Sequence, residues 1–262
     1  MPVFTHDDTQ TEYEAHGDPE GRPVLVHHGL VGSAGLAPVW HELAVRAGLR
    51  LVSVARPGYG RSTPVPMTSI ADWAGLVTPL LDELDVDRFG VLGVSAGAPY
   101  AYALAATMPE RVRRVAVLSG TGRVDEPETR ALYPDEARHR LESFATSSPE
   151  QVRAFWHGNI AMGLALNPAE HPMRRPLTDT AAHGAAGPAR ESVNQLRDWG
   201  FALESVTTPV SLWHSRADEQ VPYAAAEIVA GRIPGAVLHE QAEAGHLPSM
   251  ASAVGAVEFL AS

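Results

Sequence analysis

The 262-residue sequence contains no cysteine and no lysine. Without cysteine there is no disulfide, no thiolate nucleophile and no thiolate-held cluster. Without lysine there is no Schiff-base chemistry, no lysine-anchored pyridoxal cofactor and no phosphate-gripping lysine of a P-loop. The 20 basic residues are therefore all arginine, and against 31 acidic residues they leave a formal charge of −11. No basic run interrupts that acidity, which argues against the clustered positive face that a nucleic-acid partner requires. No stretch approaches the ~18 to 20 consecutive apolar residues of a membrane span. The polar start, Met1–Gln10 with His6, Asp7 and Asp8, lacks the apolar core of a signal peptide. These absences predict a cytoplasmic protein with neither a nucleic-acid nor a membrane partner. Oligomeric state is written in no pattern of the chain.

What is present is a 45% hydrophobic composition, enough for a folded core, in which β-rich and helical runs alternate. Val24–Val26, Leu49–Val54, Phe89–Val94, Val112–Leu118 and Val210–Trp213 read as buried strands, and Ala236–Glu240 as a weaker one. Helical spacing runs over Pro38–Ala47, Asp72–Leu84, Ala96–Thr107, Ala224–Ile233 and Ser249–Leu260. Strands that are solidly apolar and separated by helices predict an α/β fold, a mainly parallel sheet covered on both faces. Between Ser119 and Pro209 the alternation stops in favour of helical stretches. A βα connection is normally ~2 to 6 residues. The interruption is therefore an inserted subdomain: residues 1–120 and 207–262 would form the core, and 121–206 a helical lid.

Gly93-Val94-Ser95-Ala96-Gly97 is a G-x-S-x-G pentapeptide between a strand and a helix. A sharp turn there forces serine into a strained backbone that only small neighbours tolerate, and lifts its hydroxyl above the sheet. The loop after the first buried strand, His28-Gly29-Leu30-Val31-Gly32-Ser33, can aim the Leu30 N–H at that serine. Together with the Ala96 N–H it would form a two-donor oxyanion hole, worth about 3 kcal/mol per donor. His27 and His28 do not form a metal pair, because adjacent strand residues point to opposite faces.

A serine hydroxyl needs a base, and the base needs an orienting group. His246, in the loop between the last strand and the last helix, is the base candidate. Asp218, in the loop after the preceding strand, is the acid candidate; Asp125 and the weaker Glu219 are the alternatives. In a doubly wound sheet such loops gather at the carboxyl edge, where Ser95 also lies. A neutral histidine base predicts that kcat/KM rises with pH through the imidazole range, about 6 to 7. The insertion supplies aromatic bulk, with Trp156 and Trp199 the first candidates to wall a substrate pocket.

Taken together, His28–Ser33, Arg56-Pro57-Gly58-Tyr59-Gly60-Arg61-Ser62, Gly93–Gly97, Asp218 with Val221-Pro222, and Gly245-His246-Leu247-Pro248 resemble the α/β-hydrolase superfamily, serine-nucleophile branch. The resemblance implies an eight-stranded, mostly parallel, doubly wound sheet, a helical cap after the sixth strand and no cofactor. The order Ser95, Asp218, His246 is the order of that architecture. One departure is Ala55, where many relatives have aspartate before the Arg-Pro-Gly turn. The expected activity is cleavage of a small-molecule carboxylic ester or lactone through an acyl-enzyme. The alternatives are C–C bond hydrolysis of meta-cleavage-type products, or a slow or non-catalytic ligand receptor on the same fold.

Overall fold

Solid apolar strands make the sheet because each buries both of its faces. The computed structural model describes residues 1–262. The chain runs β1 (Val3–His6), β2 (Thr9–Gly17), β3 (Arg22–His27), α1 (Pro38–Ala47), β4 (Leu49–Val54), α2 (Trp73–Glu83), β5 (Phe89–Val94), α3 (Ala98–Thr107) and β6 (Val112–Leu118). Four helices follow: α4 (Pro127–Arg130), α5 (Asp135–Thr146), α6 (Pro149–Leu166) and α7 (Arg174–Asn194). The chain closes with β7 (Val210–Ser215), α8 (Tyr223–Arg232), β8 (Val237–Gln241) and α9 (Met250–Ala261). The eight strands form one sheet in the order β1-β2-β4-β3-β5-β6-β7-β8. Only the β1–β2 and β2–β4 pairings are antiparallel.

Side chains alternate across each strand, so every apolar run feeds two cores. On one face Leu25, Val52, Val54 and Val91 meet Trp73, Val77 and Leu80 of α2, much of α3, and Val229 of α8. On the other, Val24, Val26, Leu49, Leu51 and Leu92 meet Leu43 and Ala44 of α1 and Ala253, Ala256, Val257 and Leu260 of α9. Each fully buried aliphatic or aromatic side chain contributes about 1.5–3 kcal/mol. The strands read from sequence are all present; β1 and β2 are added to them at the antiparallel edge. No helix is long and apolar enough to cross a membrane.

Of the four helices between β6 and β7, α6 packs on α7 and α5 rests on α7. Residues of all three border the cavity at Ser95, outside the carboxyl end of β5, where the strand order reverses and ligands of such sheets bind. Helix α7 is interrupted at Ala182–Ala185, where His183, Gly184 and Ala185 adopt left-handed φ of 52°, 64° and 61°. Its first part is tied to the core by the Thr180 hydroxyl, which accepts the Gly32 N–H at 3.0 Å. Its second part drives Glu191, wholly buried, under the loop that follows β3.

Trp199 does not wall a substrate pocket. It follows α7 where the chain returns to the sheet, and it is fully buried in the larger core. Its indole N–H donates to the Gln195 carbonyl at 3.1 Å, and its own carbonyl accepts the Ala71 N–H at 2.9 Å. So large an apolar ring at the base of the insertion gains more from the core than from an open cavity.

Candidate active site

The turn after β5 is built by small residues. Ser95 has φ +52°, a left-handed conformation that costs a non-glycine residue energy and persists only where its surroundings impose it. A Cβ on Gly97 would collide with the carbonyl oxygen of His27, and one on Gly93 would sit 2.9 Å from the Ala98 Cα. The two glycines are therefore what lets β3, β5 and α3 close around the serine. Thr121, beyond β6, donates its N–H to the Ser95 carbonyl at 3.1 Å and holds the turn from the other side.

Three sequence-nominated side chains meet here. The Ser95 Oγ lies 2.9 Å from His246 Nε2, and His246 Nδ1 lies 2.8 Å from Asp218 Oδ2. Asp218 is carried by the turn after β7, and its Oδ1 accepts the N–H groups of Gln220 at 2.8 Å and Val221 at 3.0 Å. Burial alone would raise the Asp218 pKa. Hydrogen bonds from His214, His246 and the Val221 N–H outweigh it, and the carboxyl is held well below the usual carboxylate range. Asp218 is thus ionised wherever the imidazole of His246 is neutral. Asp125 serves elsewhere, with its two oxygens on the Arg123 guanidinium at 2.8 and 2.5 Å.

Two neighbours complete this arrangement and were not nominated from sequence. His214, at the end of β7, is wholly buried and places Nε2 3.1 Å from Asp218 Oδ2 and 2.9 Å from the Val221 carbonyl. The spacing of four residues between His214 and Asp218 is the only trace of this in the sequence. Gln241, the last residue of β8, spans the loop that presents His246. Its amide donates to the carbonyls of Glu243 and Leu247, each at 3.1 Å, and its oxygen accepts from Ser249 N at 2.8 Å and Ser252 Oγ at 3.0 Å.

Leu30 and Ala96 both line the cavity at Ser95. The Leu30 N–H has no acceptor within the protein. Ala96 lies in the first turn after the serine, where N–H groups have no intrahelical acceptor. The cavity has a volume of about 790 Å³ and runs from Ser95 and His246 up to α5 and α6. Its wall includes Val124, Tyr133, Leu141, Leu177 and Trp156, whose indole N–H is fixed on the Ser192 hydroxyl at 2.9 Å. No three His, Asp or Glu side chains converge as a set of metal ligands.

His27 and His28 do point apart. His27 packs against Trp73 and Tyr100, and His28 against Tyr59. Burial, reinforced by the Arg56 charge, holds both imidazoles well below their ordinary pKa and therefore neutral. In the unfolded chain they take up protons below about 6.5, while the folded state resists doing so. Their contribution to stability is thus complete above that pH and is lost as pH falls toward their folded values. Below about pH 6.5 the protein is therefore expected to lose stability progressively as the pH falls. Urea midpoints at pH 7.5, 6.5 and 5.5 measure this, and a midpoint that stays constant would contradict neutral burial.

Residues 22–252 match the family described as alpha/beta hydrolase fold. The chain belongs to that family. It is 32% identical over 248 residues to a protein of Caulobacter vibrioides named as a carbamate hydrolase, covering 89% of this chain and 87% of the relative. It is 32% identical over 244 residues to a pimeloyl-[acyl-carrier protein] methyl ester esterase of Aromatoleum aromaticum, covering 87% and 92%. It is 30% identical over 260 residues to a 2-hydroxy-6-oxononadienedioate/2-hydroxy-6-oxononatrienedioate hydrolase of Cupriavidus pinatubonensis, covering 91% and 86%. The protein is a hydrolase of this family. Its relatives carry names for three chemistries, so family membership alone does not choose the bond that is cut.

Proposed function

We propose that the protein is a serine hydrolase that cleaves a small carboxylic ester or lactone through an acyl-enzyme, with residues 121–206 as the lid over a cytoplasmic small-molecule site. The observation that carries the reading is the unbroken relay from Ser95 Oγ to His246 at 2.9 Å and on to Asp218 at 2.8 Å. In it, Ser95 Oγ attacks the substrate carbonyl as His246 Nε2 accepts the serine proton. Negative charge develops on the carbonyl oxygen, which the N–H groups of Leu30 and Ala96 bind. The imidazolium then protonates the departing alkoxide, and a water activated by the same histidine hydrolyses the acyl-serine. Asp218, ionised throughout, fixes the His246 tautomer and stabilises the transient imidazolium. None of these steps calls on a cofactor or a metal.

The cavity walls favour an apolar acyl group longer than acetyl. Each added methylene that is buried is worth about 0.8 kcal/mol, or about fourfold, so the two that separate p-nitrophenyl acetate from butyrate should raise kcat/KM about 15-fold. Initial rates on acetate, butyrate and octanoate esters test this, together with mass-spectrometric detection of a fluorophosphonate adduct on the Ser95 peptide. A folded protein silent toward every ester would overturn the reading. C–C bond hydrolysis, favoured by the similarity to the Cupriavidus enzyme, would then be tested with a ring-fission dienone. Silence toward that substrate too would leave the receptor reading.

A further inference from the structure

Arg56 is wholly buried, and so is its partner Glu191 on α7. Burial works against the charge on Arg56, but Glu191 more than restores it and raises the guanidinium pKa above its ordinary value. The pair is bidentate, Nε to Oε1 at 2.5 Å and Nη2 to Oε2 at 2.9 Å. The rest of the guanidinium faces the loop after β3. Nη1 donates to the His28 carbonyl at 2.7 Å and Nη2 to the Gly29 carbonyl at 3.3 Å. His28 Nδ1 donates to the same Gly29 oxygen at 2.7 Å, while its Nε2 accepts the Arg56 N–H at 3.3 Å. One neutral tautomer of His28 satisfies both bonds. The Tyr59 hydroxyl, 3.1 Å from Glu191, lies 2.9 Å from the Leu30 carbonyl. Three successive carbonyls are thereby gripped from behind.

The consequence follows from peptide geometry. The Gly29 C=O and the Leu30 N–H belong to one planar trans unit and point in opposite directions. Anchoring the oxygen on Arg56 and His28 turns the N–H the other way. Gly29 itself lies against the nucleophile, close enough that a Cβ on it would stand 3.5 Å from the Ser95 Cβ. Two donors on the carbonyl also polarise the peptide and strengthen its N–H as a donor. We infer that Glu191, acting through Arg56, is a positioning residue that sets the Gly29–Leu30 peptide as an oxyanion donor, so that the inserted helices help assemble the oxyanion hole. The inference rests on the ester-hydrolase reading. It also gives the Ala55 departure a setting, because the buried carboxylate beside the Arg-Pro-Gly turn comes from α7.

Two variants test it. Glu191→Gln keeps the side-chain shape and loosens the grip. Arg56→Met/Glu191→Leu replaces the pair with apolar side chains, a change that commonly preserves stability, and it decides the matter if the single variant melts too low to assay. Both are expected to lower kcat on p-nitrophenyl butyrate by about 10- to 100-fold, less than outright removal of an oxyanion donor, with KM little changed. A trifluoromethyl ketone, which forms a tetrahedral oxyanion on serine, should lose affinity by the same factor while the matching methyl ketone does not. The pH midpoint of kcat/KM should stay where it is in the wild type, since the relay is untouched. A folded double variant with kcat and trifluoromethyl ketone affinity within about threefold of wild type would overturn the inference alone. Absence of ester turnover by the folded wild type would overturn the ester reading and this inference with it.

Discussion

Ser95→Ala is expected to lower kcat on an activated ester by about a millionfold, to a residual rate supported only by the oxyanion donors and binding. The size follows from what the hydroxyl does. Removing it deletes the covalent route altogether, and His246 is left 2.9 Å from a position with nothing to deprotonate. The fold should be untouched, because alanine fits wherever serine does and Ser95 spends its backbone carbonyl, not its hydroxyl, on Thr121. Ser119 is the control. It too has left-handed φ, +50°, at the end of the neighbouring strand, and its hydroxyl is buried without a partner. Ser119→Ala should keep kcat within about threefold of wild type. Steady-state rates on p-nitrophenyl butyrate for both variants separate a positioned nucleophile from a serine that shares only the strained backbone. Equal losses, or none for Ser95→Ala, would end the acyl-enzyme proposal.

How far the sequence reached follows from the range of each signal. Strands β3 to β7 were legible because burial on both faces demands unbroken apolar runs. Strand β2 was not, because Thr9–Gly17 is an edge-side antiparallel strand whose nine residues are mostly polar and only Glu12 is fully buried. Its first half pairs with the short, polar-ended β1, and its second half pairs with β4, far along the chain, which no local pattern announces. The relay side chains were legible because each sits in a short stretch whose residue types are dictated by a turn: small residues around Ser95, a helix start after Asp218, a loop around His246. Gln241, His214 and Glu191 lack such a setting. Their significance lies in contacts: Glu191 reaches Arg56 across 135 residues of sequence. Trp199 was misread for the same reason, since nothing local distinguishes an aromatic that lines a cavity from one the core has claimed.

Asp218→Asn is expected to lower kcat by about 10⁴-fold with KM nearly unchanged. The carboxylate is surrounded only by donors: two backbone N–H groups on Oδ1, and His246 Nδ1 and His214 Nε2 on Oδ2. An amide cannot meet that set. With its oxygen toward Gln220 and Val221, its NH2 group faces both imidazoles. The Val221 carbonyl, 2.9 Å from Nε2, gives the His214 N–H another acceptor, but His246 must shift its proton to Nε2 so that Nδ1 can accept. The nitrogen facing Ser95 is then a donor and can no longer take the serine proton. With the amide reversed, its NH2 group meets two backbone N–H groups and the turn itself is strained. The first orientation disables the base and the second strains the turn that presents the orienting group, so in both the loss falls on kcat and binding is spared. His214→Asn removes one of four donors and should cost about tenfold or less. Asp125→Asn, which disturbs only the pair with Arg123, should stay within about threefold. The three kcat values on one ester decide the assignment. A severe loss in Asp125→Asn beside a mild one in Asp218→Asn would move the acid to the β6 side of the site.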